Sequence, residues 1–223
     1  AALREAVRPG VTTGELDAVC AGVIEAAGAR SNFLGYYDYP ATVCVSVNDE
    51  VVHGIPGPRV LRAGDLVTFD CGACITDDDG VQWHGDAAFT TVVGGRYDGD
   101  SDRILDRTTH EALWAAIAAV ARAAAGQAGG RAQCLNAIGD AVEDVVEATA
   151  ERDGLRLGIL EEYVGHGIGT RMHMAPDVLN YSVRRKGPRL RPGMVLAIEP
   201  MLTAGSARVR ELDDGWTVVT QDG

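Results

Sequence analysis

The sequence predicts an α+β fold made of two similar halves. Segments with helical periodicity alternate with short apolar runs that are typical of strands. In addition, residues 61–70 (LRAGDLVTFD) and 190–199 (LRPGMVLAIE) repeat one pattern of glycine turn, apolar strand and terminal carboxylate. Two copies indicate a duplicated unit rather than a solenoid. We therefore expect one domain, residues 1–223, whose αβ halves cover about residues 1–100 and 101–223 and pack about a pseudo-twofold axis.

Three segments have the apolar spacing of amphipathic helices. The first follows Thr12-x-x-Glu15, which is a capping box. The second covers about residues 102–125, the third about residues 135–150, and the glycine-rich residues 126–130 form the loop between them. The side chains expected to face the core are Leu16, Val19, Cys20, Val23, Ile24 and Ala27 in the first helix, Leu105, Leu113, Ile117 and Val120 in the second, and Leu135, Ile138, Val142, Val145 and Val146 in the third.

Strands are expected where β-branched and aromatic residues cluster between turn residues. The run Asp77-Asp-Asp-Gly80 is typical of a solvated hairpin tip between two of these strands. The predicted strands are Ala41–Val47, Leu66–Thr76, Asp86–Val93, Met194–Ile198 and Trp216–Thr220.

Composition excludes several classes of protein. The chain has 223 residues, of which 46% are hydrophobic, so it is long enough to bury a core and intrinsic disorder is not expected. No apolar run reaches the roughly 18 residues of a membrane span. The formal charge of −12 argues against direct nucleic-acid binding, which requires concentrated basic residues. Five scattered cysteines, including the pair in Cys71-Gly-Ala-Cys74, indicate core thiols in a reducing cytoplasm.

Carboxylates at strand ends are the first indication of chemistry. The repeat places Asp70 and Glu199 at the ends of apolar strands, and Asp86 opens the strand that follows Asp70. Acids that converge in a core repel one another unless cations neutralise them. His166 and His173 add imidazoles in the segment HGIGTRMH. Such a set suits Mn²⁺, Fe²⁺, Co²⁺ or Zn²⁺, and paired metals are a recognised hydrolytic arrangement.

Other residues are open to two interpretations. A single aspartate at a strand end is more often a turn residue than a ligand. His84 is either a ligand or, more in keeping with an isolated histidine, a structural residue. Tyr36 and Tyr39 either pack within a loop or form one wall of a substrate pocket. Cys44 and Trp216 are equally compatible with a plain core position.

Several motifs in a fixed order resemble the type I methionine aminopeptidases. The resemblance covers nearly the whole chain, and it implies the pita-bread (creatinase/aminopeptidase) fold, in which two halves related by a pseudo-twofold surround a central curved antiparallel sheet. The motifs are residues 33–40 (FLGYYDYP), 48–56 (NDEVVHGIP), 64–70 (GDLVTFD), 84–86 (HGD), 165–169 (GHGIG) followed by His173, and 198–201 (IEPM).

The resemblance also implies an activity. It is the metal-dependent removal of the initiator methionine, through attack of metal-bound water, from nascent proteins with a small second residue. Glu199 is implied as general base, His173 as the group at the scissile carbonyl oxygen, and His53 as a contact of an amide nitrogen. Two divalent ions (Co, Mn, Fe or Zn) are implied as cofactors. Their implied ligands are Asp70, Asp86, His166 and Glu199.

Partners and substrate contacts follow from the same resemblance. The expected partners are nascent peptide N-termini near the ribosome, and the enzyme is expected to be a cytoplasmic monomer without membrane contact. The residues implied to hold the substrate, with the methionine side chain in an apolar slot, are Phe33, Tyr36, Tyr39, Cys44, His53, Met172, His173 and Trp216.

The chain departs from the family pattern in two places. The family's second bridging glutamate lies beyond the segment that matches Trp216, so we expect the last metal ligand to be absent from these 223 residues and the activity of this chain to be low. Asp70 and Asp86 are also further apart than in the family's usual hairpin, with residues 77–80 in the excess.

Two alternatives to this hydrolase remain. One is a catalytically weakened pita-bread protein that serves as a binding module. The other is a relative that cleaves X-Pro bonds, although the prolidase-type motifs are lacking.

Overall fold

A computed structural model of the chain describes residues 1–221, so Gly223, the predicted end of the second half, lies outside the described residues. No helix in this range combines the length and the apolar character that crossing a membrane requires. The helices are α1 (Ala2–Ala6), α2 (Thr13–Ala26), α3 (Asp100–Ala124) and α4 (Asn136–Asp153). The strands are β1 (Arg30–Ser31), β2 (Cys44–Val47), β3 (Glu50–Val52), β4 (Leu66–Thr76), β5 (Gln82–Val92), β6 (Leu157–Ile159), β7 (Gly165–Gly167), β8 (Met174–Val178), β9 (Leu196–Ala197), β10 (Leu202–Ala204), β11 (Val209–Glu211) and β12 (Val218–Thr220).

The first half is organised around the long hairpin β4–β5. In the described structure β4 pairs with β1 and β2 as well as with β5, and every pairing is antiparallel. The predicted bounds of β4 are confirmed, whereas β5 begins at Gln82 rather than Asp86 because the hairpin pairs over its whole length. The tip is closed by Asp77, whose carboxylate accepts the N–H groups of Asp79 and Val81 and the indole N–H of Trp83.

Helix α2 begins at the predicted capping box. The Thr12 hydroxyl accepts the Glu15 N–H at 3.1 Å, and the Glu15 carboxylate accepts the Thr12 N–H at 2.7 Å. Leu16 and Cys20 are buried against the first-half sheet, as predicted. Val23, predicted to face the core, is instead 52% exposed, whereas the next residue, Ile24, packs against the core cluster.

The core of the second half is formed mainly by α3 packed on α4. The predicted inward face of α3 is partly wrong, since Ile117 is exposed while Ala112 and Ala116 are fully buried. The two alanines contact the cluster that contains Ile138 and Val142 of α4. Alanine is favoured at these positions because its small side chain lets the backbones of α3 and α4 approach closely.

The sequence repeat corresponds to a repeated local structure. Gly64 and Gly193 have φ values of +95° and +90°, a left-handed conformation that glycine adopts without strain. Each turn leads into a strand, β4 in the first half and β9 in the second, and the two segments end at Asp70 and Glu199. The duplicated turn and strand thus deliver one carboxylate from each half.

Replacing Thr12 with alanine should destabilise the protein by about 1 kcal/mol, because the Glu15 N–H at the start of α2 loses its side-chain acceptor. Urea unfolding followed by circular dichroism measures the change. Thr12→Ser, which keeps the hydroxyl, is the control and should lie close to the wild type. Equal loss in both variants would contradict the capping role.

Candidate metal centre

Residues from both halves line one cavity of about 390 Å³. The cavity contains side chains that follow strands, such as His53 after β3, together with side chains within β4, β5 and β7. All the residues singled out from the sequence as ligands or substrate contacts lie on its wall: Phe33, Tyr36, Tyr39, Cys44, His53, Asp70, Asp86, His166, Met172, His173, Glu199 and Trp216.

The β4–β5 hairpin sets the positions of the two aspartates. Asp70 lies opposite Ala88 and Asp86 lies opposite Gly72, so the two acids are diagonal neighbours on one face of the sheet. The loop of this hairpin, residues 77–81, lies beyond the paired strands and outside the register that joins the two acids. Asp70 and Asp86 are close enough that Asp86 raises the pKa of Asp70.

His166 joins the carboxylates of both halves. It lies in β7 between β8 and β9, and its Nδ1 atom is 2.9 Å from the Gly167 carbonyl oxygen. Its Nε2 atom is 3.6 Å from an Asp86 oxygen and 3.4 Å from an Oε1 of Glu199. Nδ1 therefore donates to the backbone carbonyl, and Nε2 faces the carboxylates.

Two carboxyl groups of this cluster, those of Asp70 and Glu199, have raised pKa values. Burial raises the pKa of Asp70 well above its ordinary value, and the charges of Asp86 and Glu199 raise it further. Burial and the charge of Asp86 raise the pKa of Glu199 to about 7. Burial alone lowers the pKa of His166, but the hydrogen bonds to Asp86 and Gly167 and the charge of Glu199 outweigh it, so the net shift is upward.

The donor set fits a divalent cation. Two ligands each about 2.1 Å from one ion lie roughly 3.4–3.6 Å apart at near-tetrahedral angles, which is the span from His166 Nε2 to the Asp86 and Glu199 oxygens. Glu199 Oε1 is buried and accepts no hydrogen bond from residues 1–221. Among residues 1–221 no group of three or more such side chains has the spacing that would hold a metal ion, so the fit rests on these pairwise distances.

An apolar slot adjoins the carboxylate cluster. Phe33, Tyr39, Cys44 and Met172 form a buried group of side chains, with Trp216 packed against it. The Tyr39 and Trp216 rings meet edge to face at 5.0 Å. These residues are therefore both core packing and cavity wall, so the two interpretations of Tyr39, Cys44 and Trp216 hold together.

His53 stands at the other side of the cavity in a left-handed conformation, with φ of +60°. Its ring contacts the rings of Tyr163, at 5.5 Å, and Trp216, at 6.0 Å. Burial, and then the charge of His173, lowers the pKa of His53. Sequence reasoning missed Tyr163, together with Glu162 on the same wall, although both directly precede the glycine-rich motif that contains His166.

His84 takes no part in the cavity. Its Nδ1 atom is 2.8 Å from the Asn32 Oδ1 atom, and its backbone N–H donates to the Gly169 carbonyl. The structural interpretation of this histidine therefore holds. Cys71 and Cys74 are free thiols in β4, so they form no disulfide.

Comparison with known proteins decides the family. The pattern of the family described as "Metallopeptidase family M24" matches residues 1–220. The chain belongs to metallopeptidase family M24. Family M24 membership agrees with a cavity that combines carboxylates, an imidazole and an apolar slot, since metallopeptidases need ligands beside a substrate site.

Several relatives of this M24 chain are named for one activity. The chain is 46% identical over its whole length to methionine aminopeptidase 1 of Mycobacterium tuberculosis, of which it covers 78%. It is 41% identical over 99% of its length to methionine aminopeptidase 1 of Bacillus subtilis, of which it covers 80%. Methionine aminopeptidase from Thermotoga maritima superposes with a TM-score of 0.79 at 34% identity, over 99% of this chain and 82% of that one. The predicted pita-bread fold is thereby confirmed.

Asp86→Ala should abolish high-affinity Mn²⁺ binding and leave the fold intact, because the variant lacks the carboxylate beside both Asp70 and His166. Calorimetric titration of Mn²⁺ measures the affinity, and circular dichroism checks the fold. Asp79→Ala, which changes an exposed acid at the tip of the same hairpin, is the matched control. Unchanged Mn²⁺ affinity in Asp86→Ala would remove this residue from the ligand set.

The contribution of Glu199 to the thermal stability of the metal-free protein should fall as the pH rises from about 4.5 to about 7. Glu199 has a higher pKa folded than unfolded, so the folded state binds more protons in that window and loses its advantage as they dissociate. Scanning calorimetry measures the trend. Glu199→Gln should reduce the slope, and a slope equal to that of the wild type would show that Glu199 is not buried as described.

Proposed function

We propose that this chain is a methionine aminopeptidase that removes the initiator methionine from proteins and peptides with a small second residue. The observation that carries the proposal is one cavity in which a buried apolar slot ends against a carboxylate–imidazole cluster. When the first side chain of a peptide occupies the slot, the peptide bond that follows this residue lies beside the polar groups. The names of the M24 relatives with 41–46% identity support the same activity.

Asp70, Asp86, His166 and Glu199 are the residues proposed to hold two divalent cations, and Co, Mn, Fe and Zn all suit these donors. When bound, such cations lower the pKa of water and polarise a carbonyl. The acids of the chain are suited to this role because their own charges need compensation inside the cavity.

Glu199 is proposed as the general base. Its carboxylate lies in the cavity beside His166, where it can accept a proton and return it. His173 also lies on the cavity wall, with its ring 4.4 Å from that of His166. Burial, and then the charge of His166, lowers the pKa of His173, so it acts as a neutral imidazole toward the scissile carbonyl oxygen. His53 is proposed to contact an amide nitrogen beyond the scissile bond.

The slot is proposed to select methionine. The thioether is flexible and packs favourably against aromatic edges and other sulfur atoms. Phe33, Trp216 and Met172 supply such surfaces, and Cys44 closes the buried end. Tyr163 and His53 narrow the cavity on the opposite side, which favours a small second residue.

The setting of the enzyme is proposed as the cytoplasm, where it acts as a monomer on nascent N-termini near the ribosome. Free cysteines at all five positions support a reducing compartment. Direct nucleic-acid binding is not part of this proposal.

Free methionine should be released from the peptide Met-Ala-Ser in a metal-dependent reaction. The assay compares this chain with one extended past residue 223, because the family resemblance implies a further bridging glutamate there. Chelator should abolish release, added Mn²⁺ or Co²⁺ should restore it, and the extended chain should turn over faster. Chromatography of free methionine is the measurement.

Two outcomes would change the proposal. Equal turnover by both chains would show that the additional ligand is dispensable. Absence of release by either chain with any metal would favour the binding-module alternative, which also predicts tight peptide binding without cleavage.

A further inference from the structure

We propose that Tyr36 is a positioning residue that fixes the imidazole of His173 in one tautomer, with the proton on Nε2. The inference deepens the proposed function and rests on it, since it gives His173 the form in which a neutral ring can donate to a carbonyl oxygen. Tyr36 thereby has a role beyond forming part of the apolar wall.

The key contact is a hydrogen bond between two side chains that are 137 positions apart in the chain. The Tyr36 hydroxyl oxygen is 3.0 Å from Nδ1 of His173, and the two rings meet at 69° with centroids 5.7 Å apart. On its other side the His173 ring meets the His166 ring at 90°. The imidazole is therefore held between a phenol and a proposed metal ligand.

The direction of this hydrogen bond follows from the groups present. A neutral imidazole has one N–H and one bare nitrogen, while a phenol can donate or accept. Among residues 1–221 the Tyr36 hydroxyl has no other hydrogen-bond partner. Tyr36 is 37% exposed, so water could also accept the phenol proton. The favoured arrangement is still O–H donating to bare Nδ1, because a phenol O–H is the stronger donor and a bare imidazole nitrogen is a stronger acceptor than a phenol oxygen. The proton of the ring then lies on Nε2.

The backbone is strained directly after Tyr36. The next two residues, Tyr37 and Asp38, both have left-handed φ values, +45° and +67°, which side-chain-bearing residues rarely adopt. Strained backbone persists only where the surroundings over-determine it. Here Gly35 N–H donates to the Tyr39 carbonyl at 2.8 Å and closes the turn.

The turn is anchored on the core side by Tyr39. This residue is 2% exposed, and its hydroxyl donates to the Gly54 carbonyl at 2.9 Å. Tyr36 N–H also donates to the Phe33 carbonyl at 2.8 Å. The turn is thus fixed at both ends, and its fixed geometry directs the Tyr36 hydroxyl to His173.

The tautomer matters because of what Nε2 presents to substrate. Protonated Nε2 donates a hydrogen bond to an oxygen on which negative charge develops. Bare Nε2 would direct a lone pair at that oxygen and repel it. Without the Tyr36 hydroxyl both tautomers and a rotated ring become accessible, so the donor is present for only part of the time.

The test uses nitrogen NMR of the metal-free 223-residue chain, labelled at its five histidines. The His173 resonances, assigned with His173→Gln, should report bare Nδ1 and protonated Nε2 in the wild type. Tyr36→Phe should show mixed tautomers, whereas Tyr37→Phe, which changes the 79% exposed neighbouring tyrosine, should match the wild type. Protonated Nδ1 in the wild type, or an unchanged tautomer in Tyr36→Phe, would overturn the proposal.

Kinetics supply the second arm. In whichever chain releases methionine, Tyr36→Phe should lower kcat at least about 10-fold, as loss of a group that orients a reactive imidazole commonly does, with a smaller change in KM. A change in KM alone would overturn the positioning role and leave Tyr36 as a wall residue. If no chain releases methionine, the proposed function fails, while the NMR arm still decides the tautomer.

Discussion

The structure depends on the burial of three like-charged carboxylates where the two halves meet. Asp70, Asp86 and Glu199 are held together although the charge of Asp86 disfavours the ionised forms of both Asp70 and Glu199. A fold accepts this cost only where something offsets it, and His166 does so in part by facing both Asp86 and Glu199. Divalent cations would supply the larger compensation, which is why the acids are better suited to function than to stability.

The rest of the molecule can be understood as the support of that junction. The β4–β5 hairpin fixes the separation of the two aspartates through its register. The alanine-lined contact between α3 and α4 is independent of the cavity, yet it packs against Ile198, which precedes Glu199. The packing of α3 on α4 therefore helps to fix the position of Glu199.

Much of this arrangement could be predicted from the sequence, because it depends on residues that are neighbours in the chain or on a motif that occurs twice. The capping box at Thr12 and the bounds of β4 depend on neighbours in the chain, and the repeat identified Asp70 and Glu199 as equivalent. The burial of Ala112 instead of Ile117 could not be predicted, because it depends on how closely a second helix approaches. Tyr163 was missed for a similar reason, since only the fold brings it onto His53.

The long hairpin has a consequence for how this protein tolerates change. Side chains alternate between the faces of a strand, so one residue added to a single strand between Asp70 and Asp86 would turn an acid away from the cavity. In this hairpin the pairing is unbroken from Leu66 opposite Val92 to Thr76 opposite Gln82, and residues 77–81 lie in a turn closed by Asp77. The tip is therefore a natural point at which a peptide epitope or reporter could be inserted without disturbing the chemistry beneath it.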